Sequence, residues 1–539
     1  MATPKQEGFK HKDICEYTKD WGLFGKVDPV VFILSAVLLT AFTIWGLVDN
    51  KGLGAVAGAA LKWTITYTGW LYMGGVFFIL VWCFYMAYGK FGHIKLGKDD
   101  DVPEYSDFSW FSMLFGCGMG VGLIFWSVAE PLYHYMKGPS YAGAPGSAQA
   151  AEWSMAISFL HWALNAWAVF VVIGIAIGIL MYKKGLPALI STCFYPILGD
   201  KIYGPIGKII DIVTLVAVFF GQCTTIGLGV MQLTSGINFN YGVPITLGLN
   251  VVVLLVCCLV YLASACLPIE KGIKVGSNIS MIACLGIMLY LFLAGPTTYI
   301  LDNFVNGTGL YLQNIVKMSL WMDPVEKSGW LGGWTIYYWA WWISWAPFVG
   351  LFFAKISKGR TIKEFVLASL IAPSLFSMIF MNIFGTTALN FELSAATKGI
   401  IWNAVQKDVS SAIYILFDQF PGAALLAPVL LFVSFTFFVV SADSATIVLG
   451  ILSSGGGAEP KTSLKVFWGA TMAVAAGVLM TAGGLMALQA ASIVGALAFT
   501  IVLLFVCYTI PKMLQDGEEY CKLETPQQVP VPDPKTVSL

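Results

Sequence analysis

Charge is what this chain has least of. Only 11% of its 539 residues are Asp, Glu, Lys or Arg, where a soluble chain of ordinary composition carries about a quarter. So few charges cannot cover a water-facing surface. Arginine is almost missing: Arg360 is the sole one, so no guanidinium fork can be assembled to grip a carboxylate. Acidic and basic residues balance at 30 each, which leaves no electrostatic footprint for nucleic acid. A disulfide or metal framework is also missing. Cys257, Cys258, Cys266 and Cys284 lie inside apolar runs, where cysteine behaves as a small hydrophobe, and the Cys257–Cys258 pair has no second pair at metal-binding spacing. Residues 1–28 are polar and lysine-bearing and lack the apolar core and small-residue cleavage site of a secretory signal. The first spanning helix is therefore expected to act as the insertion signal. No constellation of His, Asp, Glu or Cys stands at a recognisable catalytic spacing. Neither an enzyme nor a cofactor is expected, and no metal beyond sodium.

What the chain has in quantity is long apolar runs. Hydrophobic residues make up 58% of it, and a helix needs ~20 of them in a row to cross the hydrocarbon core. Twelve such segments are expected: 29–48, 67–88, 109–132, 155–182, 208–235, 244–266, 277–300, 334–355, 364–389, 424–453, 464–484 and 486–510. A short amphipathic stretch, 409–420, precedes the tenth. The fold class is thus an all-α polytopic membrane protein with twelve transmembrane helices. With the N-terminus inside, the segments on that side hold 23 lysines and arginines and the outer loops 7, the bias that orients spans in a bilayer. Both termini are expected to be cytoplasmic, in the cell (inner) membrane. The tail from Pro511 is short. Its Lys512, Lys522 and Lys535 are outnumbered by Asp516, Glu518, Glu519, Glu524 and Asp533. It lacks the basic clusters that bind an anionic leaflet at ~1 kcal/mol per charge, so no reliance on a basic C-terminal osmosensor is expected.

Three segments carry chemistry. The third span holds Gly116-Cys117-Gly118-Met119-Gly120-Val121-Gly122. Each glycine weakens a helix by about 1 kcal/mol relative to alanine. Broken backbone survives in lipid only where it lines a cavity or is buried in protein, and unwound helices at the midplane hold substrates and ions in secondary transporters. Close packing through small residues is the alternative; the alternation of the glycines over more than one helix face favours unwinding. In the fourth span, Trp162, Phe170 and Trp167 fall at roughly 0°, 80° and 140° around a continuous helix, so they can share a wall. The eighth span reads Tyr337-Tyr338-Trp339-Ala340-Trp341-Trp342-Ile343-Ser344-Trp345. Trp339 fits the membrane border, where tryptophan is common; Trp342 and Trp345 lie deeper and one turn apart. Rings in this number suit a quaternary ammonium, which lacks a strong hydrogen-bond donor and is held by ring faces at ~2 kcal/mol or more when desolvated. An aromatic-rich core is the competing reading. Asp443, at the end of the tenth span, is either a functional intramembrane carboxylate or an interfacial cap. His161 could relay protons, although a structural hydrogen bond is the commoner role.

Gly118-Met119-Gly120-Val121-Gly122 with Ala129-Glu130-Pro131 resembles the glycine motif of the betaine/choline/carnitine transporter (BCCT) family. Trp339 to Ser344, followed by Pro347, Phe348, Lys355 and Ser357-Lys358-Gly359-Arg360, resembles the family's signature around the eighth helix. The likeness extends over nearly all twelve spans. It implies a leucine-transporter-like fold of inverted five-helix repeats. The division it implies is a cytoplasmic segment 1–28, two extra helices in 29–108, a first repeat 109–300, an extracellular loop 301–333, a second repeat 334–510 and a cytoplasmic tail 511–539. Homotrimers are common among such proteins. The resemblance places the substrate cage on Trp162, Trp167, Phe170 and Trp342, with Trp341 and Trp345 along the access path. Backbone groups of Gly118, Met119, Gly120 and Gly122 would receive the substrate carboxylate. Phe170 stands where betaine carriers often have tyrosine.

The departures bear on coupling. In sodium-coupled relatives, hydroxyls of the tenth helix join carbonyls of the glycine stretch. Here such a site would comprise Gly116, Met119, Phe437, Val440 and Ser441, with Val440 where threonine is expected. A second sodium site would fall on the fifth helix, where Val218 and Gln222 replace threonines and Thr224 and Thr225 lie nearby. The implied activity is secondary transport of a small quaternary-ammonium zwitterion, glycine betaine-like or carnitine-like, by alternating access. Sodium-independent exchange is the alternative to sodium symport. A channel is the reading from another class, but it would show rings of carbonyls or charges along a pore.

Overall fold

The computed structural model describes residues 17–116, 120–266, 270–457 and 459–516; side chains of 270–275 and 277 lie outside that description. Gly118 and Met119, the first sixteen residues and the tail beyond Asp516 are therefore outside it as well. The chain is almost wholly helical: α1 Pro29–Val48, α2 Asn50–Tyr88, α3 Asp107–Gly116, α4 Val121–Lys137, α5 Ala148–Trp162, α6 Leu164–Ile179, α7 Pro205–Tyr241, α8 Leu247–Cys266, α9 Glu270–Ala294, α10 Thr297–Leu320, α11 Thr335–Ile356, α12 Ile362–Leu393, α13 Ala423–Ser453 and α14 Thr462–Gln515. Among the described residues eight helices are long and apolar enough to cross a bilayer, or ten if each bent pair is one span. Two expected spans fall outside that number for identifiable reasons. Thr335–Ile356 carries tyrosines and tryptophans where other spans carry aliphatic residues. The last two expected spans join into α14, whose backbone leaves helical geometry at Gly483 and Gly484; the latter adopts φ +58°, open to glycine without strain.

Helix ends follow from local sequence. Asp28 caps α1, accepting from the amides of Val30 and Val31 at 3.2 Å, with Pro29 at the first helical position. Thr361 and Glu364 cap α12 reciprocally. The stretch 301–333, expected as a loop, contains most of α10, which turns 106° from the helix before it. The second span extends well beyond 67–88, since α2 begins at Asn50.

The bundle is sorted by what each helix faces. On α6 every residue after Leu164 is buried, and α4 and α11 are nearly so. On α1 and α8, Leu34, Val37, Leu47, Val252, Leu255 and Leu259 point outward, as a lipid-facing layer requires. At the centre α11 packs on α6 and α7, and α4 on α5 and α12. These six helices enclose the middle of the molecule. Away from it, buried Glu392 at the end of α12 accepts from the amides of Gly399, Ile401 and Trp402 at 2.7, 3.0 and 2.9 Å. It satisfies the otherwise orphaned start of the helix Ile400–Lys407.

Glu392→Ala strands three amides. It is expected to destabilise the protein by ~1–3 kcal/mol and lower its melting temperature in detergent, while ligand affinity stays at the wild-type value. An unchanged melting temperature would show that these bonds contribute nothing.

A candidate binding cavity walled by aromatic rings

The cavity arises where two helices break. Gly120 is extended (φ −164°, ψ 163°) and precedes α4; α3 and α4 are inclined by 61°. The fourth expected span also breaks, at Ala163 (φ −107°, ψ −134°). The reckoning of 100° per residue therefore does not hold from Trp162 to Phe170. These residues come together because Trp162 ends α5 while Trp167 and Phe170 lie on the first turns of α6. From the other side α11 contributes Trp341, Trp342 and Trp345. The lining is Gly120, Gly122, Leu123, Trp162, Ala166, Trp167, Phe170, Trp341, Trp342, Trp345 and Val349. Trp341 and Trp345, expected along an access path, share the cavity with the other rings.

The rings meet at defined angles. Trp162 and Trp342 are 5.0 Å apart and near perpendicular, as are Phe170 and Trp342 at 6.1 Å and Trp167 and Phe170 at 5.4 Å. Trp341 stacks on Trp342 at 5.0 Å. Their polar edges are engaged elsewhere. Trp162 donates its indole N–H to Glu130 Oε2 (2.7 Å), Trp167 to the carbonyl of Trp162 (3.1 Å), Trp342 to the carbonyl of His161 (2.9 Å) and Trp341 to Thr225 Oγ1 (3.2 Å). Trp345 differs: its buried indole nitrogen has no partner among the described residues.

The glycines serve different ends. A Cβ on Gly122 would fall into the ring of Trp341, whereas one on Gly120 would meet nothing within 4 Å. Gly122 allows the close approach of α4 and α11, and Gly120 opens on the cavity. Gly116 ends α3. Phe437, Val440 and Ser441 lie on α13, outside the cavity lining, and Gly118 and Met119 are outside the described residues. Of the nearby oxygens, Thr224 donates to the carbonyl of Leu488 (2.7 Å), and Thr225 donates to that of Gly221 (3.1 Å) while accepting from Trp341. Both amide atoms of buried Gln222 have no partner among the described residues.

Sequence reasoning passed over Glu130 as a site residue. This fully buried carboxylate accepts from Tyr338 (2.5 Å) as well as Trp162, and contacts His161 Nδ1 at 2.7 Å and His134 Nε2 at 3.2 Å. His161 also meets Thr335 Oγ1 at 2.9 Å. Its hydrogen bonds are structural, and they reach the cage. The rule that an intramembrane carboxylate marks function had been applied to Asp443 and fits Glu130 equally, since Glu130 falls within the expected span 109–132. Asp443 instead accepts from Ser264 on α8 and does not line the cavity.

A many-spanning helical bundle with a ring-walled cavity between broken helices defines a membrane transport protein rather than an enzyme. The chain belongs to the betaine/carnitine/choline family transporters, the BCCT family, whose model matches residues 30–519. It is 41% identical over 500 residues to a probable glycine betaine transporter of Desulfitobacterium hafniense, covering 92% of this chain and 99% of the relative. It is 37% identical to the glycine betaine transporter OpuD of Bacillus subtilis, covering 90% and 94%. It is also 38% identical to an ectoine/hydroxyectoine transporter of Virgibacillus pantothenticus, covering 91% and 97%.

Gly120→Ala is expected to fold and transport. Gly120→Leu should fold and fail to transport, because its side chain fills the cavity. Gly122→Ala should impair transport by displacing Trp341. Uptake into proteoliposomes, with size-exclusion profiles as the folding control, checks the series; near-normal uptake by Gly120→Leu would contradict it.

Proposed function

We propose that this transporter carries a small trimethylammonium zwitterion, glycine betaine-like in size, across the cell membrane by alternating access. The observation that carries the reading is a cavity lined by six aromatic rings whose indole N–H groups, Trp345 excepted, are bonded elsewhere. Among the described residues no lining side chain is a carboxylate, hydroxyl or amide. A cation bearing N–H groups, such as the amidinium of ectoine, would lose its water without gaining an acceptor from these side chains. A permanently methylated cation needs none and is attracted by the ring quadrupoles. The free indole N–H of Trp345 and the backbone beside Gly120 are the candidates for the substrate carboxylate. Family membership supports assembly as a homotrimer, and the lysine distribution supports cytoplasmic termini.

A second reading, exchange independent of sodium, is favoured by the oxygens. Val440 and Val218 present carbon where the family resemblance expects hydroxyls, and Gln222 presents an amide. Thr224 and Thr225 are engaged with Leu488, Gly221 and Trp341. A carrier with no driving ion can still turn over when it is loaded in both directions.

Trp342→Ala removes a desolvated ring and should weaken glycine betaine binding by about 30-fold, or ~2 kcal/mol; Trp342→Phe should lose less. Unchanged affinity in Trp342→Ala would place the site elsewhere. Counterflow separates carrier from channel, since only a carrier takes up labelled substrate against an unlabelled internal pool. Under the exchange reading, counterflow proceeds equally in sodium and potassium media. Strong uptake into empty liposomes driven by an inward sodium gradient would refute that reading.

A further inference from the structure

Glu130 is an anion deep in the bundle, and no lysine or arginine pairs with it among the described residues. The groups that face it are His134 on its own helix, His161 and Trp162 from α5, and Tyr338 and its neighbour Tyr337 from α11. From α12, which also packs on α4, the acidic residues are Glu364, bonded to Thr361 at the helix start, and Glu392, occupied with the amides of Gly399, Ile401 and Trp402. Trp162 and Tyr338 donate to Oε2. His161 meets Oε1 through Nδ1 and Thr335 Oγ1 through Nε2. His134 meets Oε1 through Nε2, and its Nδ1 has no partner among the described residues. With the carboxylate ionised and both imidazoles neutral, all four contacts on Glu130 are satisfied and the cluster is negative.

That charge is wired to the cage. Trp162 donates its N–H edge to Glu130 and meets Trp342 at a near-perpendicular angle. His161, bonded to Glu130 through its ring, holds the indole of Trp342 through its carbonyl. Tyr338 stacks on Trp342 at 6.1 Å. A carboxylate that accepts from the N–H makes the whole indole ring more electron-rich, and in a dry site its field is poorly screened.

We propose that Glu130 is a positioning and specificity-determining residue of this cavity. It holds Trp162 and Tyr338 by their donors, and it provides the intramembrane counter-charge that makes the cavity prefer a permanently cationic head over a neutral one of the same shape. The inference rests on the quaternary-ammonium reading above. It makes a demand that ring packing alone does not: the contribution of Glu130 must depend on ligand charge.

The test compares glycine betaine with its carbon isostere 3,3-dimethylbutanoate, in which a tert-butyl group replaces trimethylammonium. Both are titrated against the purified full chain in detergent. The wild type should favour glycine betaine. Glu130→Gln should bind glycine betaine about 10-fold more weakly, or ~1.4 kcal/mol, and the isostere as before, so the preference falls by the same factor. Equal losses for both ligands, or no loss for either, would overturn the inference while leaving the substrate reading intact. A wild type that binds no glycine betaine would overturn both. If Glu130→Gln does not fold, Glu130→Asp decides: it keeps the charge and should keep the preference to within about 3-fold. Collapse of the preference in Glu130→Asp would refute the counter-charge role.

Discussion

Four donors from three helices end on one carboxylate, and the shape of the cavity depends on that convergence. An ionised group in an apolar interior is costly unless its lone pairs are satisfied. Glu130 is satisfied by His134, His161, Trp162 and Tyr338, drawn from α4, α5 and α11. Satisfying it fixes the N–H edge of Trp162, a ring that lines the cavity. The same cluster sets His161, whose carbonyl does likewise for Trp342. A polar requirement in one layer of the bundle thereby produces an apolar, electron-rich wall in the next.

Close approach of backbones is the second constraint. Gly122 leaves room for the Trp341 ring, and Gly221 leaves room for Ser344 where α7 meets α11. That approach brings Thr225, one turn beyond Gly221, within reach of the Trp341 indole. The hydroxyl that steadies Trp341 is thereby engaged on the fifth expected span. Ring placement and the engagement of the Thr225 hydroxyl are linked through one helix contact.

The broken helices and the rings act as one device. Chain breaks before α4 and after Trp162 free the segments to meet at an angle, and the rings from α5, α6 and α11 fill the space that the angle creates. Backbone that is not helical is tolerated there because it lies within protein and beside a cavity rather than against lipid.

Much of this was legible in the sequence. Apolar length and the scarcity of charge identify a polytopic helical membrane protein, because lipid imposes a length and a composition that few other settings share. The tryptophan runs pointed to Trp162, Trp167, Phe170, Trp341, Trp342 and Trp345, since aromatic density of that order exceeds what packing demands. The break at Ala163 was hidden because no glycine or proline marks it. The extent of α10 was hidden because an amphipathic helix and a polar loop have similar composition. Glu130 was visible as part of a motif, but its work depends on His161 and Tyr338, distant in sequence and brought within hydrogen-bond reach only by packing. Residue types and periodicity determined what the chain could build. Which edges and faces point into the cavity was decided by tertiary structure, because orientation depends on hydrogen-bond partners that other helices deliver.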